Sequence, residues 1–190
     1  MAIPFVDGQS HANSKHGRPF SHENGFADDP ARVWAASHER LDPEFKAIIW
    51  FDFSPRSYSP AKASFKIVQQ QIPTEHRPKE HVSRQWTPIK WQFVGSNDDP
   101  CKSKGDWTVI CQKAKNRGST SSSDVLRECQ ADTEDGQMPF KPFRCLGIRI
   151  METEDPEGRH AALYGIRMWA WHEEGEEFSE GSKADSLRGG

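Results

Sequence analysis

Eighteen consecutive apolar residues occur nowhere in this 190-residue chain, which leaves it without a segment long enough to form a membrane-spanning helix. An excess of charge of one sign is missing too. The formal net charge is −3 and acids are interleaved with bases, so neither a basic nucleic-acid face nor a polybasic membrane patch is expected. No Cys-x-x-Cys pair occurs and no His stands close enough to a Cys to complete a zinc site, which argues against a thiolate-bound metal. Gly-x-Ser-x-Gly, His-Glu-x-x-His and phosphate-binding glycine loops are absent. The eight histidines and many carboxylates could build a catalytic group only from distant positions, and the chain is expected not to be an enzyme.

The opening Met1-Ala2-Ile3-Pro4-Phe5-Val6-Asp7 has neither the basic nor the apolar region of an export signal. A cytoplasmic location is therefore expected, or an extracellular one if the chain is cut from a longer secreted protein. Without export, Cys101, Cys111, Cys129 and Cys145 are expected to be free thiols. In an oxidising compartment Cys101 would bridge Cys111 across a short loop and Cys129 would reach Cys145, one of three possible pairings.

What the chain does have is tryptophan. Hydrophobic residues make up only 34% of it, but seven are Trp, so the apolar mass sits in a few large side chains and the core should be aromatic. The length suits one domain. Residues 1–20 are polar, broken by Gly and Pro, and are read as an irregular leading segment. The nearly continuous apolar run 47–53 suits a strand buried on both faces. Residues 63–68 alternate as a half-exposed strand does, and Ile89, Trp91 and Phe93 point one way in the next. Gly95-Ser96-Asn97-Asp98-Asp99-Pro100 is a turn by composition, followed by a strand from Trp107 to Cys111. Two apolar strands over 143–150 and 162–171 complete the pattern. The stretches 69–85 and 112–138 are read as a surface loop and as a mobile loop or short polar helix. The acidic, Gly/Ser-rich residues 173–190 should be disordered. Short strands, long polar loops and no amphipathic helix predict an all-β antiparallel sandwich or jelly roll over residues 21–172.

With the strands placed, several segments resemble the discoidin family, the coagulation factor five and eight type C domains of the galactose-binding-like jelly rolls. Asn24-Gly25-Phe26-Ala27-Asp28-Asp29-Pro30-Ala31-Arg32-Val33-Trp34 is similar to the early loop, usually Ala-Phe-Asp-Gly-Asp-Pro-x-Thr-x-Trp. Ile49-Trp50-Phe51-Asp52-Phe53 stands where the family has Trp-Ile-x-Val-Asp-Leu. Pro88 to Asp98, then Trp107-Thr108-Val109-Ile110, resembles its strand, Gly-Ser-Asn-Asp-Gly turn and Trp-led strand. Residues 143–150 and 163–168 look like the paired closing strands.

The resemblance implies binding rather than catalysis, with fold-level analogy as its only warrant. Many members hold calcium in the early loop through oxygen ligands. Here Ala27 stands in place of an Asp, Arg32 in place of a Thr and Gly165 in place of a closing-strand Glu, so no cofactor is expected; Asp28 and Asp29 are the candidate ligands should calcium bind. Sugar sites in the family use loops at one end of the sandwich, an aromatic ring stacking on the sugar while polar groups meet its hydroxyls. The corresponding candidates are His38, Arg40, Arg84 and Trp86, with Asn97 and Asp98 from the turn, although Ser, Asn and Asp there also suit backbone capping. Trp34, Trp50, Trp91 and Trp107 are expected in the core. The reading is a lectin-like module that recognises a glycan or other polar ligand, with an intracellular protein-interaction module as the alternative. The terminal Leu187-Arg188-Gly189-Gly190 is similar to the tail of ubiquitin, but nothing upstream looks like a β-grasp domain.

Overall fold

The structure is a computed structural model that describes residues 1–5, 8–13, 20–37, 47–68, 72–74, 77–82, 84–119, 125–131, 140–155 and 160–171. Residues 37, 72–74, 77–82 and 84 are described by their backbone alone. His38 and Arg40, the acidic end of the chain and its Leu-Arg-Gly-Gly terminus lie outside the described residues.

Eleven strands and one short helix, α1 (His22–Phe26), are described, in the order β1 (Gln9–Ala12), α1, β2 (Trp34–Ser37), β3 (Ala47–Asp52), β4 (Pro60–Lys66), β5 (Ile72–Thr74), β6 (Arg77–Val82), β7 (Pro88–Ser96), β8 (Thr108–Ala114), β9 (Leu126–Gln130), β10 (Cys145–Thr153) and β11 (His160–Ala170). They form a five-stranded sheet in the order β1-β3-β10-β7-β8, a four-stranded sheet in the order β2-β11-β4-β9, and the small hairpin β5-β6. All the pairings are antiparallel. The two larger sheets make the expected sandwich. No helix among the described residues is long and apolar enough to cross a membrane.

The alternation of side chains along each strand accounts for the core. Trp34 of β2, Ile49 and Phe51 of β3, Phe65 of β4, Phe93 of β7 and Leu163 of β11 belong to one buried cluster. The other side of β3 is also covered: Ile48 and Trp50 pack with Val94, Cys101 and Cys145, and the partly buried Trp107 lies against them. This double burial is why β3 reads as an unbroken apolar run. The four tryptophans assigned to the core lie in or against these clusters. Gly147 stands opposite Trp50 in the pairing of β10 with β3. A Cβ at Gly147 would come within 2.8 Å of the Trp50 Cβ, so the bare backbone there gives the indole its place.

Several expectations need correction. The leading segment, read as irregular, supplies β1, and Ile3 is buried in the main cluster. Residues 69–85, read as a loop, contain the hairpin β5-β6 and begin the single 3₁₀ turn Arg84–Trp86. Residues 112–138, read as a loop or short helix, continue β8 to Ala114 and supply β9. In β9, Arg127 and Cys129 turn inward and are buried while their neighbours are exposed, a strict alternation hidden in a polar sequence. The Arg127 guanidinium lies 5.9 Å from the Trp91 ring centroid, within cation–π range.

The cysteines are not free. Cys101 is bonded to Cys145 and Cys111 to Cys129, neither of which is the pairing expected from neighbouring positions. Sequence proximity misled because partners are set by strand order. Cys145 opens β10 opposite Ser96, the last residue before the turn that carries Cys101. Cys111 and Cys129 lie on β8 and β9, the outermost strands of the two sheets on one side, so this bridge joins the sheets covalently across their edges.

At the domain's other boundary, Met1 and Ala170 exchange backbone hydrogen bonds. The Met1 amino group donates to the Ala170 carbonyl at 2.8 Å, and the Ala170 amide donates to the Met1 carbonyl at 2.8 Å.

Loop-closure arithmetic gives about 3 kcal/mol for the Cys111–Cys129 bridge and about 4 kcal/mol for Cys101–Cys145, from separations of 18 and 44 residues. Thiol titration of the unreduced, denatured protein should find no free thiol. Cys111→Ala/Cys129→Ala should lower the unfolding free energy in urea by about 3 kcal/mol, and an unchanged midpoint would show that the edge bridge contributes nothing.

Candidate functional site

The register of β7 separates the candidate residues into two groups. Trp86 ends just before this nine-residue strand and Asn97 follows it, so about 26 Å of extended chain lies between them. They belong to opposite ends of the sandwich.

At the first end, the turn Arg84–Trp86 is fastened to the end of β10. The Asp155 amide donates to the Gln85 carbonyl at 2.7 Å, and the Glu154 amide donates to the Thr87 carbonyl at 2.9 Å. The Glu154 carboxylate is itself fixed by the Gly118 amide at 2.9 Å, and Arg117 Nη1 donates to the Glu154 carbonyl at 2.9 Å. These bonds hold Trp86 in one place. Its ring stacks on that of His160, the first residue of β11, with centroids 4.5 Å apart and planes 14° from parallel. Phe20 meets it edge-on at 6.4 Å. Trp86 packs against a small buried cluster of Phe20, Val33, Ala35, Val68, Ala162 and Tyr164, yet both Trp86 and His160 keep part of their surface in solvent. The result is an anchored, partly exposed aromatic platform whose ring surface suits the apolar face of a ligand.

Ser37, the last residue of β2, pairs with His160, so β2 ends at this same end of the sandwich. The sequence pointed to Trp86 and missed His160, which stands at the foot of a strand after a charged turn and carries no local motif. Only the fold brings the two rings together.

At the other end, Asn97 and Asp98 hold the turn that follows β7. Asn97 Nδ2 donates to the Pro142 carbonyl at 3.0 Å and its Oδ1 accepts from the Arg144 amide at 2.9 Å. Asp98 Oδ2 accepts from the Asp106 amide at 2.8 Å. These are the capping tasks suited to their residue types, and they tie the turn to the start of β10.

The early loop resolves the question of calcium. Asp28 Oδ1 is 2.6 Å from Lys66 Nζ and its Oδ2 is 2.8 Å from Arg167 Nη2. Asp29 Oδ1 accepts from the Ala31 amide at 2.9 Å, and the Ala27 carbonyl accepts from the Gly165 amide at 2.9 Å. The oxygens that a hard cation would need are thus occupied by ammonium, guanidinium and amide groups. Gly165 has φ +62°, a conformation that disfavours a carboxylate-bearing residue there. The residues present do not fit a calcium ion; the two cations of the chain neutralise the loop instead. A second grouping fails for a different reason: the Asp52 carboxylate and the sulfurs of Cys101 and Cys145 lie within 4.8 Å of one another, but disulfide sulfur offers no thiolate.

The hydrogen bond from Lys66, with the charges of Lys66 and Arg167, holds the Asp28 carboxyl below the ordinary aspartate value of 3.8. A depressed folded-state value contributes stability that is present above the unfolded value and lost as pH falls through the folded one. All three side chains are more than a third exposed (36–61%), so the gain is at most about 1 kcal/mol. Asp28→Asn should therefore lower stability by about that amount at neutral pH and by nothing measurable well below pH 3.8. Neither calcium nor a chelator should move the melting temperature. Calcium-dependent stabilisation would overturn this account of the loop.

No protein-family model matches the chain, and no curated protein matches it in sequence. Solved structures do match. The CBM32-3 module from a family 31 glycoside hydrolase of Clostridium perfringens superimposes with a TM-score of 0.62 at 14% identity, covering 90% of this chain and 95% of that one. A fragment of a putative chitobiase from Bacteroides thetaiotaomicron gives 0.60 at 13% identity over 91% and 94%. CpGH89CBM32-5 from Clostridium perfringens, solved with GalNAc-β-1,3-galactose, gives 0.57 at 12% over 90% and 100%. At these identities the likeness establishes the fold alone, an antiparallel β-sandwich of the jelly-roll type.

Proposed function

We propose that this chain is a non-catalytic glycan-recognition module of the discoidin type, which takes its ligand at the loop end marked by Trp86 and His160. The observation that carries the reading is the stacked, anchored and partly exposed Trp86–His160 pair. A sugar ring has an apolar face of C–H groups that packs on such a surface, while its hydroxyls need donors and acceptors around the rim. His38, Arg40 and Arg84, residue types with hydrogen-bond donors, are the sequence candidates for meeting those hydroxyls. Neighbouring structures of the same fold lend support: one was solved with GalNAc-β-1,3-galactose and another with 4,5-unsaturated mannuronic acid.

The same proposal places the chain outside the reducing cytoplasm. Two disulfides, one of them joining the sheets, belong with an oxidising compartment. The intracellular protein-interaction reading loses its footing for the same reason.

The test is a glycan array followed by titration of the best sugar. Trp86→Ala should weaken binding by about five- to 150-fold, since an aromatic stacking partner contributes about 1–3 kcal/mol by analogy with base stacking. Asn97→Ala should leave the affinity unchanged. A flat response across the array, or equal affinity of wild type and Trp86→Ala, sinks the proposal.

A further inference from the structure

The end of the sandwich away from Trp86 carries a cavity of about 420 Å³ lined, among the described residues, by Gly8, Gln9, Asp52 and Ser54. That volume is in the range of small-molecule sites. Gln9 pairs with Asp52 at the start of β1 and the end of β3, and Cys145 pairs with Asp52 on its other side. The carboxylate therefore sits at the rim of the central strands, on rigid backbone. Gly8 brings the chain against the Phe51 ring and the Asp52 carbonyl, where a Cβ would collide with both.

The hydrogen bonding of Asp52 is lopsided. Its Oδ1 accepts from both the amide and the hydroxyl of Ser54. Among the described residues its Oδ2 has only Arg144 Nη2 at 3.4 Å, while the other arm of that guanidinium is held by Asp99 at 2.9 Å. A carboxylate offers about four acceptor positions, so Oδ2 has capacity left. The Ser54 hydroxyl spends its proton on Asp52, so towards a ligand its oxygen is an acceptor. Burial alone would raise the Asp52 carboxyl, but the Ser54 bonds and Arg144 outweigh it and keep the group ionised at neutral pH. Arg144 is thus shared between the carboxylates of Asp52 and Asp99.

We propose that this cavity binds a small primary ammonium, with Asp52 Oδ2 as its counter-ion and Ser54 and Gln9 as hydrogen-bond partners. A cavity lined by Asp52, Ser54 and Gln9, with an ionised carboxylate whose Oδ2 has acceptor capacity left, selects a ligand rich in N–H and positively charged. The site is independent of the Trp86 platform, and either can fail without the other.

Glucosamine is a suitable probe and N-acetylglucosamine its neutral control. In amide NMR spectra at low salt, glucosamine should shift the signals of Gly8, Gln9 and Ser54, and N-acetylglucosamine should not. Trp86→Ala should keep the response. Asp52→Asn should weaken it at least tenfold, as expected for losing a charge-assisted bond. Because Asp52 also orders Ser54, Gln9→Trp provides a second route: it fills the cavity from an exposed position, leaves Asp52 intact and should likewise abolish the shifts. Equal shifts from the two sugars, shifts confined to the Trp86 end, no shifts at all, or glucosamine binding that survives both substitutions would each overturn the proposal.

Discussion

Burial of an aromatic seam between two antiparallel sheets is the constraint on which the molecule rests. Among the isoleucines and leucines of the core, the chain sets Trp34, Phe51, Phe65, Trp91 and Phe93 between its sheets, each removing a large apolar area from water. Such a seam tolerates polar loops around it but not a shifted strand, because a one-residue slip turns every ring toward solvent. β10, held between β3 and β7, fixes that register, and its Gly147 permits the close passage of Trp50. The covalent bridge between β8 and β9 then closes one open side of the sandwich, where exposed edges would otherwise begin to separate.

This explains which parts of the fold were legible in the sequence. β3, β7, β10 and β11 carry large apolar side chains at strand spacing and announce themselves. β9 does not, because Leu-Arg-Glu-Cys-Gln looks like loop, and its inward residues are an arginine and a half-cystine. The hairpin β5-β6 is equally quiet, with Pro78 and several charges in a short stretch. The disulfide pairing was closed to sequence reasoning because it depends on which strands become neighbours at the edges. Trp86 could be singled out by its position before a strand, whereas His160 has meaning only once β11 is folded beside the turn.

Charge takes over tasks that the resemblance would give to other groups. In the early loop, Lys66 and Arg167 converge on Asp28 and occupy the place of a metal ion with the chain's own cations. At the far end, Arg144 links Asp52 to Asp99 and so connects the central strand with the turn held by Asn97. Both networks are local and partly solvated, so they set loop shape more than they set overall stability.

The reciprocal bonds between Met1 and Ala170 have a geometric consequence. Met1 and Ala170 are tied side by side at the end of β11 remote from His160, so the first residue and the last residue of the closing strand brace each other. The pairing leaves the aromatic stack at the opposite pole of the sandwich from the point where the described chain starts and its last strand stops.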